Sequence, residues 1–440
     1  MATPRLPSPP GPVPVSSTTD GAEPVIPREV GAPAAAVLGG LRECVAAWTE
    51  RSSQARGLGY HPAVAEVDPE AVPELLVTVE ALLRLVTEEA PDSDTAEAVG
   101  LGCFQIAEWA EERGALATAL SWAQLAIAAW PQQPHYAYLI GRLARKRAQY
   151  PHAEEWLRYA MRIARRRMSW EVYALALSGF ANLKRQRGNM PVATRYHRLA
   201  LKAATRHGLR TLEGDALYDL AVIAIEAGDA RGAIALGREA LRAYGPGHVR
   251  VLRLAHDFAW LLMTNTGDFF HAACILQSLV AHVWEPPFRL LLLANLCRAS
   301  AGCDWEALFE KSWVDTWTLI RQTPTQEGHA GSLLQLAYAA GRIGSWERAR
   351  MAAEQAAFTA RQRQEGTILF EAEEVLDAIR DSELEPERMV RAAPDLRWLE
   401  IGEEHASLES YAVDLVDDIA LTLRVRRDGA PESPLAMLIG

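Results

Sequence analysis

The chain has 440 residues, 49% of them hydrophobic and 23% charged, with a formal net charge of −11. It can bury a large core, and its length alone would allow two or three compact domains. No run reaches the roughly eighteen apolar residues a membrane span needs, and no basic region followed by an apolar core opens the chain, so a cytoplasmic protein without membrane contact is expected. Cys44, Cys103, Cys274, Cys297 and Cys303 lie scattered in apolar segments without a CxxC pair. They read as small buried thiols in a reducing compartment.

Residues 1–33 hold nine prolines among Ser, Thr and Gly, a composition that cannot offset the entropy of ordering, and are expected to form a disordered tail. A polyproline ligand for another module is the alternative reading of that segment. Residues 34–93 read as an N-terminal helical cap. Within it, Asp68-Pro69-Glu70 supplies a helix start and Leu75, Leu76, Val79, Leu82, Leu83 and Val86 form one apolar stripe.

From residue 94 to 383 the chain repeats itself. Runs of apolar helical periodicity end in a short turn and restart at Gly114, Ala148, Gly188, Gly228, Gly267, Ala301 and Gly344, spaced 34, 40, 40, 39, 34 and 43 residues apart. Self-similarity on this scale predicts stacked helix pairs, an α-solenoid. The units at Gly267 and Ala301 are blurred, with Leu279 and Trp313 where a small residue is expected. Trp284-Glu285-Pro286-Pro287 is expected to interrupt any helix, so a bend or insertion is predicted between 284 and 327. Trp305, Trp313 and Trp317 share a face of one predicted helix, read as a core stripe or, if exposed, as a self-association surface. Residues 384–427 read as capping helices and 428–440 as a disordered tail.

Around each turn the small residues fall in a fixed pattern. Gly114 is flanked by Ala107, Ala119 and Ala126, Ala148 by Gly141, Ala153 and Ala160, Gly188 by Ala181, Ala193 and Ala200, Gly228 by Ala221, Ala233 and Ala240, and Gly344 by Ala337, Ala349 and Ala356. This resembles the tetratricopeptide repeat (TPR) family, which keeps small residues at positions 8, 20 and 27 of each repeat, and in particular its extended-helix type with units of about 40 residues. The resemblance implies an all-α, right-handed superhelix of antiparallel helix pairs with helical caps. Small residues at these sites let two helices approach closely.

The same resemblance implies that the first helix of each repeat lines a concave groove. There it places His135, Tyr138, Arg142, Arg145 and Lys146, then Leu175, Ser178, Asn182, Arg185 and Gln186, then Asp215, Tyr218, Val222, Ile225 and Glu226, after Glu108, Glu111 and Glu112 one unit earlier. Asn182 falls where relatives hold a peptide backbone. The lysine and second asparagine of the family's carboxylate clamp are replaced by Ser178 and Asp219, so a chaperone-cofactor role is disfavoured. Charge supports a site in this region: residues 142–210 carry seventeen Lys/Arg against Glu154, Glu155 and Glu171, enough to steer an acidic partner. Arg158 and Arg162, Arg198 and Lys202, and Arg238 and Arg242 would form a ridge on the outer side, read either as a solvated surface or as a row for nucleic-acid phosphates.

No phosphate loop, HExxH, GxSxG or metal-spaced Cys/His cluster occurs in the sequence, and adjacent carboxylates such as Glu111 and Glu112 do not converge on one substrate atom. No enzyme activity, cofactor or metal is expected. The leading expectation is an adaptor that takes an acidic or C-terminal peptide in the groove through Tyr138, Arg142, Arg145, Lys146, Asn182, Arg185 and Tyr218. A ligand-responsive regulator comes second and nucleic-acid binding through the outer ridge third. Homo-oligomerisation is left open.

Overall fold

A computed structural model describes residues 27–53, 69–88, 93–245, 247–323, 328–363 and 365–384. Among these residues there are helices and turns but no strand, and successive helices pack as antiparallel pairs, an all-α solenoid-type fold. The chain divides between Leu220 and Ala221 into two compact units. The first unit begins with α1 (Pro27–Val30), α2 (Ala32–Ser53) and α3 (Leu76–Glu88). Three pairs follow: α4 (Ser93–Glu112) with α5 (Leu116–Ala129), α6 (Pro134–Lys146) with α7 (Tyr150–Arg166), and α8 (Trp170–Gln186) with α9 (Met190–Arg206).

Helix α10 (Arg210–Glu226) spans the division. The second unit continues with α11 (Ala230–Tyr244), then pairs α12 (Arg250–Leu261) with α13 (Phe269–Val280) and α14 (Pro286–Gly302) with α15 (Glu306–Gln322). It ends, among the described residues, with α16 (His329–Arg342), α17 (Trp346–Arg363) and α18 (Gly366–Leu384). The expected capping helices of 384–427 and the tail of 428–440 lie outside the described residues, save for Leu384 at the end of α18.

The turns explain why the chain reverses where it does. Gly188, Gly228 and Gly267 take φ of 73°, 74° and 70°, a left-handed conformation that costs a residue with a Cβ about 1–2 kcal/mol. The residue after each glycine then caps the second helix. Asn189 accepts from the Val192 amide at 3.3 Å, Asp229 from Gly232 at 2.9 Å and Asp268 from His271 at 3.1 Å, an arrangement worth about 1 kcal/mol each.

All fifteen small residues of the five well-matched repeats are buried. Gly141 shows the reason at its tightest: a Cβ there would lie 2.7 Å from Leu157 Cγ, so α6 and α7 could not keep their separation. The small-residue pattern thus acts through helix approach.

Several expectations change. The left-handed residue of the sixth turn is Asp304 (φ 58°), and Ala301 is a buried residue inside α14. Counting from Asp304 instead of Ala301 puts Cys297, Phe309 and Thr316 at the three contact sites, all buried, while the buried Trp313 stacks on Phe309 at 5.9 Å and meets Trp317 at a tilt at 6.1 Å. The helical run does break at Trp284-Glu285-Pro286-Pro287, between the end of α13 at Val280 and the start of α14 at Pro286; the prolines themselves stand inside the new helix. They occupy the first turn of α14, where the missing amide is unneeded, and the expected insertion is replaced by two regular helices, α14 and α15. A π-helical turn at Leu262–Thr266 adds a residue to the end of the α12 segment, which brings Ala259 rather than Trp260 into the buried small site. Leu279 is itself fully buried.

The helical chain also begins before residue 34. Glu29 of α1 accepts hydrogen bonds from the amides of Ala117 (3.1 Å) and Thr118 (2.9 Å) and from the Thr118 hydroxyl (2.8 Å). It thereby caps α5, whose own N-cap residue, Ala115, offers no side-chain acceptor. Residues 1–26 of the expected tail lie outside the described residues. Helices α2 and α3 share one apolar core with α4–α7, built around Trp48, Leu82, Trp122 and Trp156.

Candidate functional site

In the first unit the first helices of successive pairs each present a half-buried stripe. It comprises Glu108 and Glu111 on α4, His135, Tyr138, Arg142 and Arg145 on α6, Leu175, Ser178, Asn182 and Arg185 on α8, and Asp215, Tyr218 and Asp219 on α10, with Lys146 exposed beside it. Spacings of three and four residues put each set on one helix face. Helix α6 packs directly on α8, and Gly179 lies where α8 meets both α7 and α6: a Cβ there would lie 3.0 Å from Leu157 and 3.3 Å from the Tyr138 ring.

The charges within this row are matched to one another. Glu111 accepts from Arg142 Nη2 at 2.5 Å and from Lys146 Nζ at 2.9 Å, and the Arg142 guanidinium also lies 5.6 Å from the Tyr138 ring. Burial pushes the Glu111 carboxyl up, but Arg142 and Lys146 outweigh it and hold the group below its ordinary value. Neighbouring Glu108 is raised to about 7 by burial, with Glu111 and Glu112 adding to the rise and Arg142 opposing it. Burial lowers His135, so its ring is neutral near pH 7.

Asn182 is engaged as well. Its Nδ2 donates to Asp219 Oδ2 at 3.4 Å, and the fully buried His197 brings Nδ1 to 3.3 Å from the same oxygen. Burial lowers the His197 pKa against the pull of Asp219. Within the expected positive centre, Arg142 and Lys146 therefore share the single Glu111 carboxylate, and Asn182 is bonded to Asp219. Any ligand must exchange with these bonds.

Of the expected outer set, Arg158, Arg162, Arg198 and Lys202 are exposed on α7 and α9, and Arg158 pairs with Glu154 at 2.8 Å. Arg238 and Arg242 stand on α11, in the second unit, half-buried and exposed respectively.

The second unit holds a row that the sequence reading missed. Trp260, Arg298 and Tyr338, on α12, α14 and α16, are half-buried, and the Arg298 guanidinium lies 5.4 Å from the Trp260 ring and 4.8 Å from the Tyr338 ring. Arg298 also donates to Gln335 Oε1 at 2.7 Å. Burial lowers the Arg298 pKa, while burial and Glu374 raise the Glu371 carboxyl on α18. Once Asp304 is taken as the turn residue, Arg298 falls at the repeat position of Arg142 and Asn182. The signal was present, but misplacing the turn by three residues hid it.

Among the described residues no grouping of three or more His, Cys, Asp or Glu could hold a metal, and no helix is long and apolar enough to cross a membrane. No protein-family model and no curated protein matches the chain. Among solved structures, the TPR domain of P58(IPK) aligns at 12% identity over 77% of this chain and 98% of its own, with a TM-score of 0.22. A circular tandem repeat protein with novel repeat topology and enhanced subunit contact surfaces aligns at 15% identity over 90% and 99%, with a TM-score of 0.19. Superpositions this poor carry no weight, and the fold rests on the helix pairs themselves.

Proposed function

We propose that the chain is a non-enzymatic TPR-like adaptor, of the extended-helix type and cytoplasmic, that holds a segment of another protein along its first-helix rows. One observation carries this reading: half-buried polar and aromatic residues recur at the same repeat positions on consecutive first helices, while the small residues behind them are consumed by packing. A surface that is half-buried, hydrogen-bonded and aromatic suits recognition of an extended chain by its backbone and a few anchors. In the first unit Tyr138 and Tyr218 supply anchors, Asn182 the amide, and Arg145 and Arg185 the remaining cationic character. The partner segment is acidic but carries donors too, because Glu108, Glu111 and Asp219 lie in the same row.

The test is affinity capture with the full chain, followed by a binding titration of the captured partner. Arg185→Glu combined with Tyr218→Ala is expected to weaken that partner at least tenfold with the helical melting curve unchanged, while Arg198→Glu on α9 leaves it bound. Undiminished binding to the first variant would remove the row from the interface.

A further inference from the structure

A slot of about 550 Å³ opens between α7 and α9 with α8 as its floor, inside the first unit and away from the row just described. Its two walls differ. Along α7 stand Arg158, Arg162, Arg165 and Arg166; facing them from α9 are Tyr196 and Leu199; beneath lie Tyr173 and Leu177 of α8. No acidic residue lines it.

The four arginines follow i, i+4, i+7 and i+8 spacing and so fall on one stripe, where like charges oppose one another. The negative end of the α7 dipole eases this for Arg165 and Arg166 only within the last turn. Arg158 has Glu154 at 2.8 Å, and Arg162 lies 5.4 Å from the Tyr159 ring; Glu154 itself stands outside the slot lining. The rings opposite are braced: Tyr196 lies 4.5 Å from Phe180, and Tyr173 meets Trp170 edge-on at 6.1 Å.

A ligand that satisfies both walls must carry several negative charges on one side and a flat or apolar body on the other. From Arg158 to Arg165 the stripe runs ~11 Å at the rise of an α-helix, which suits linked phosphates better than a single one. Guanidinium forks match phosphate oxygens, and tyrosine faces accept a base by stacking. The size lies within the range of small-molecule sites. A nucleic-acid strand fits less well, because its phosphates would need cations continuing past successive bases, whereas the α9 wall lining this slot is apolar and aromatic.

We propose that the slot binds a nucleoside polyphosphate, with its phosphates on the α7 arginines and its base against Tyr173 and Tyr196. The site is independent of the first-helix rows, and its failure leaves the adaptor reading untouched. The experiment is a calorimetric titration of the full chain at low salt with adenosine triphosphate, inorganic tripolyphosphate and a single-stranded oligonucleotide.

The triphosphate is expected to saturate at one site and to bind about tenfold tighter than tripolyphosphate. Tyr196→Ala should erase that difference, and Arg162→Glu with Arg165→Glu should weaken both at least tenfold. Arg162→Lys keeps the charge with minimal risk to folding and should weaken both by a smaller factor. Lys311→Glu, exposed on α15, should change neither. The proposal is overturned by no saturable binding of either compound, by equal affinity of wild type for the two, or by an oligonucleotide that binds where the triphosphate does not.

Discussion

The two first-helix rows use the same repeat position for different chemistry. In residues 93–220 the row is ionic: Arg142 and Lys146 are fixed by Glu111, and Asn182 by Asp219. In residues 250–384 it is aromatic, with Arg298 between Trp260 and Tyr338 and bonded to neutral Gln335. A repeat fold constrains what lies behind the row, through Ala and Gly at helix crossings, and leaves its front free to vary. The first row is sensitive to salt and pH through its carboxylates; the second depends on ring geometry.

That contrast can be broken most sharply at Arg142. Arg142→Ala leaves Glu111, whose side chain is only 10% exposed, with Lys146 as its remaining cation, and is expected to cost about 2–3 kcal/mol in urea unfolding, the scale of a charge-assisted hydrogen bond lost from a buried carboxylate. A loss below about 1 kcal/mol would mean that the ionic row is solvated. Next comes Arg298→Met, which keeps the aliphatic bulk but removes the charge between the rings and the bond to Gln335. About 2 kcal/mol should be lost, with less change between low and high salt than for Arg142→Ala, because among the described residues Arg298 has no carboxylate within ion-pair distance and Glu371 acts on it only at longer range. Full stability in this variant would reduce the aromatic row to ordinary packing.

Glu29→Ala tests the frame that holds the ionic row rather than the row itself. Loss of the cap on α5 should cost about 1 kcal/mol, seen as faster amide exchange at Ala117 and Thr118.

A smaller effect is expected from pH. The Glu108 pKa is raised to about 7 in the folded chain, so the native state binds more protons than the unfolded one between its ordinary carboxyl value and 7. The contribution of this group is then fully present below the ordinary value and is lost as pH rises through about 7. Glu108→Gln should flatten the stability profile between pH 5 and 8, and a profile identical to wild type would contradict the burial. Glu111 works in the opposite sense, since its lowered pKa makes its contribution fade as the medium turns acid.

Much of the fold was legible because its causes are local. Glycine at a left-handed turn, an Asn or Asp beside it and alanine at a helix crossing are all visible in a run of about twenty residues. The errors came where a local rule had two readings. Pro286 and Pro287 break a helix interior but start a helix equally well, and only the structure shows on which side of them α14 lies. Ala301 resembles the other turn alanine, Ala148, yet α14 runs on to Gly302 and the positive φ of the turn falls at Asp304. The pairing of Glu111 with Arg142, and of Asp219 with Asn182, was hidden for another reason: it joins residues of neighbouring repeats, and helical spacing fixes which face a side chain takes without saying what it meets. The capping of α5 by Glu29, 88 residues away, carries no sequence signal at all.

The most direct test of the adaptor reading places a photo-crosslinking residue at position 182, in the first-helix row, or at position 198, on the exposed face of α9, and irradiates each with the captured partner. Adducts at 182 and none at 198 are the result expected if first helices carry the partner. Adducts at 198 with none at 182 would contradict it.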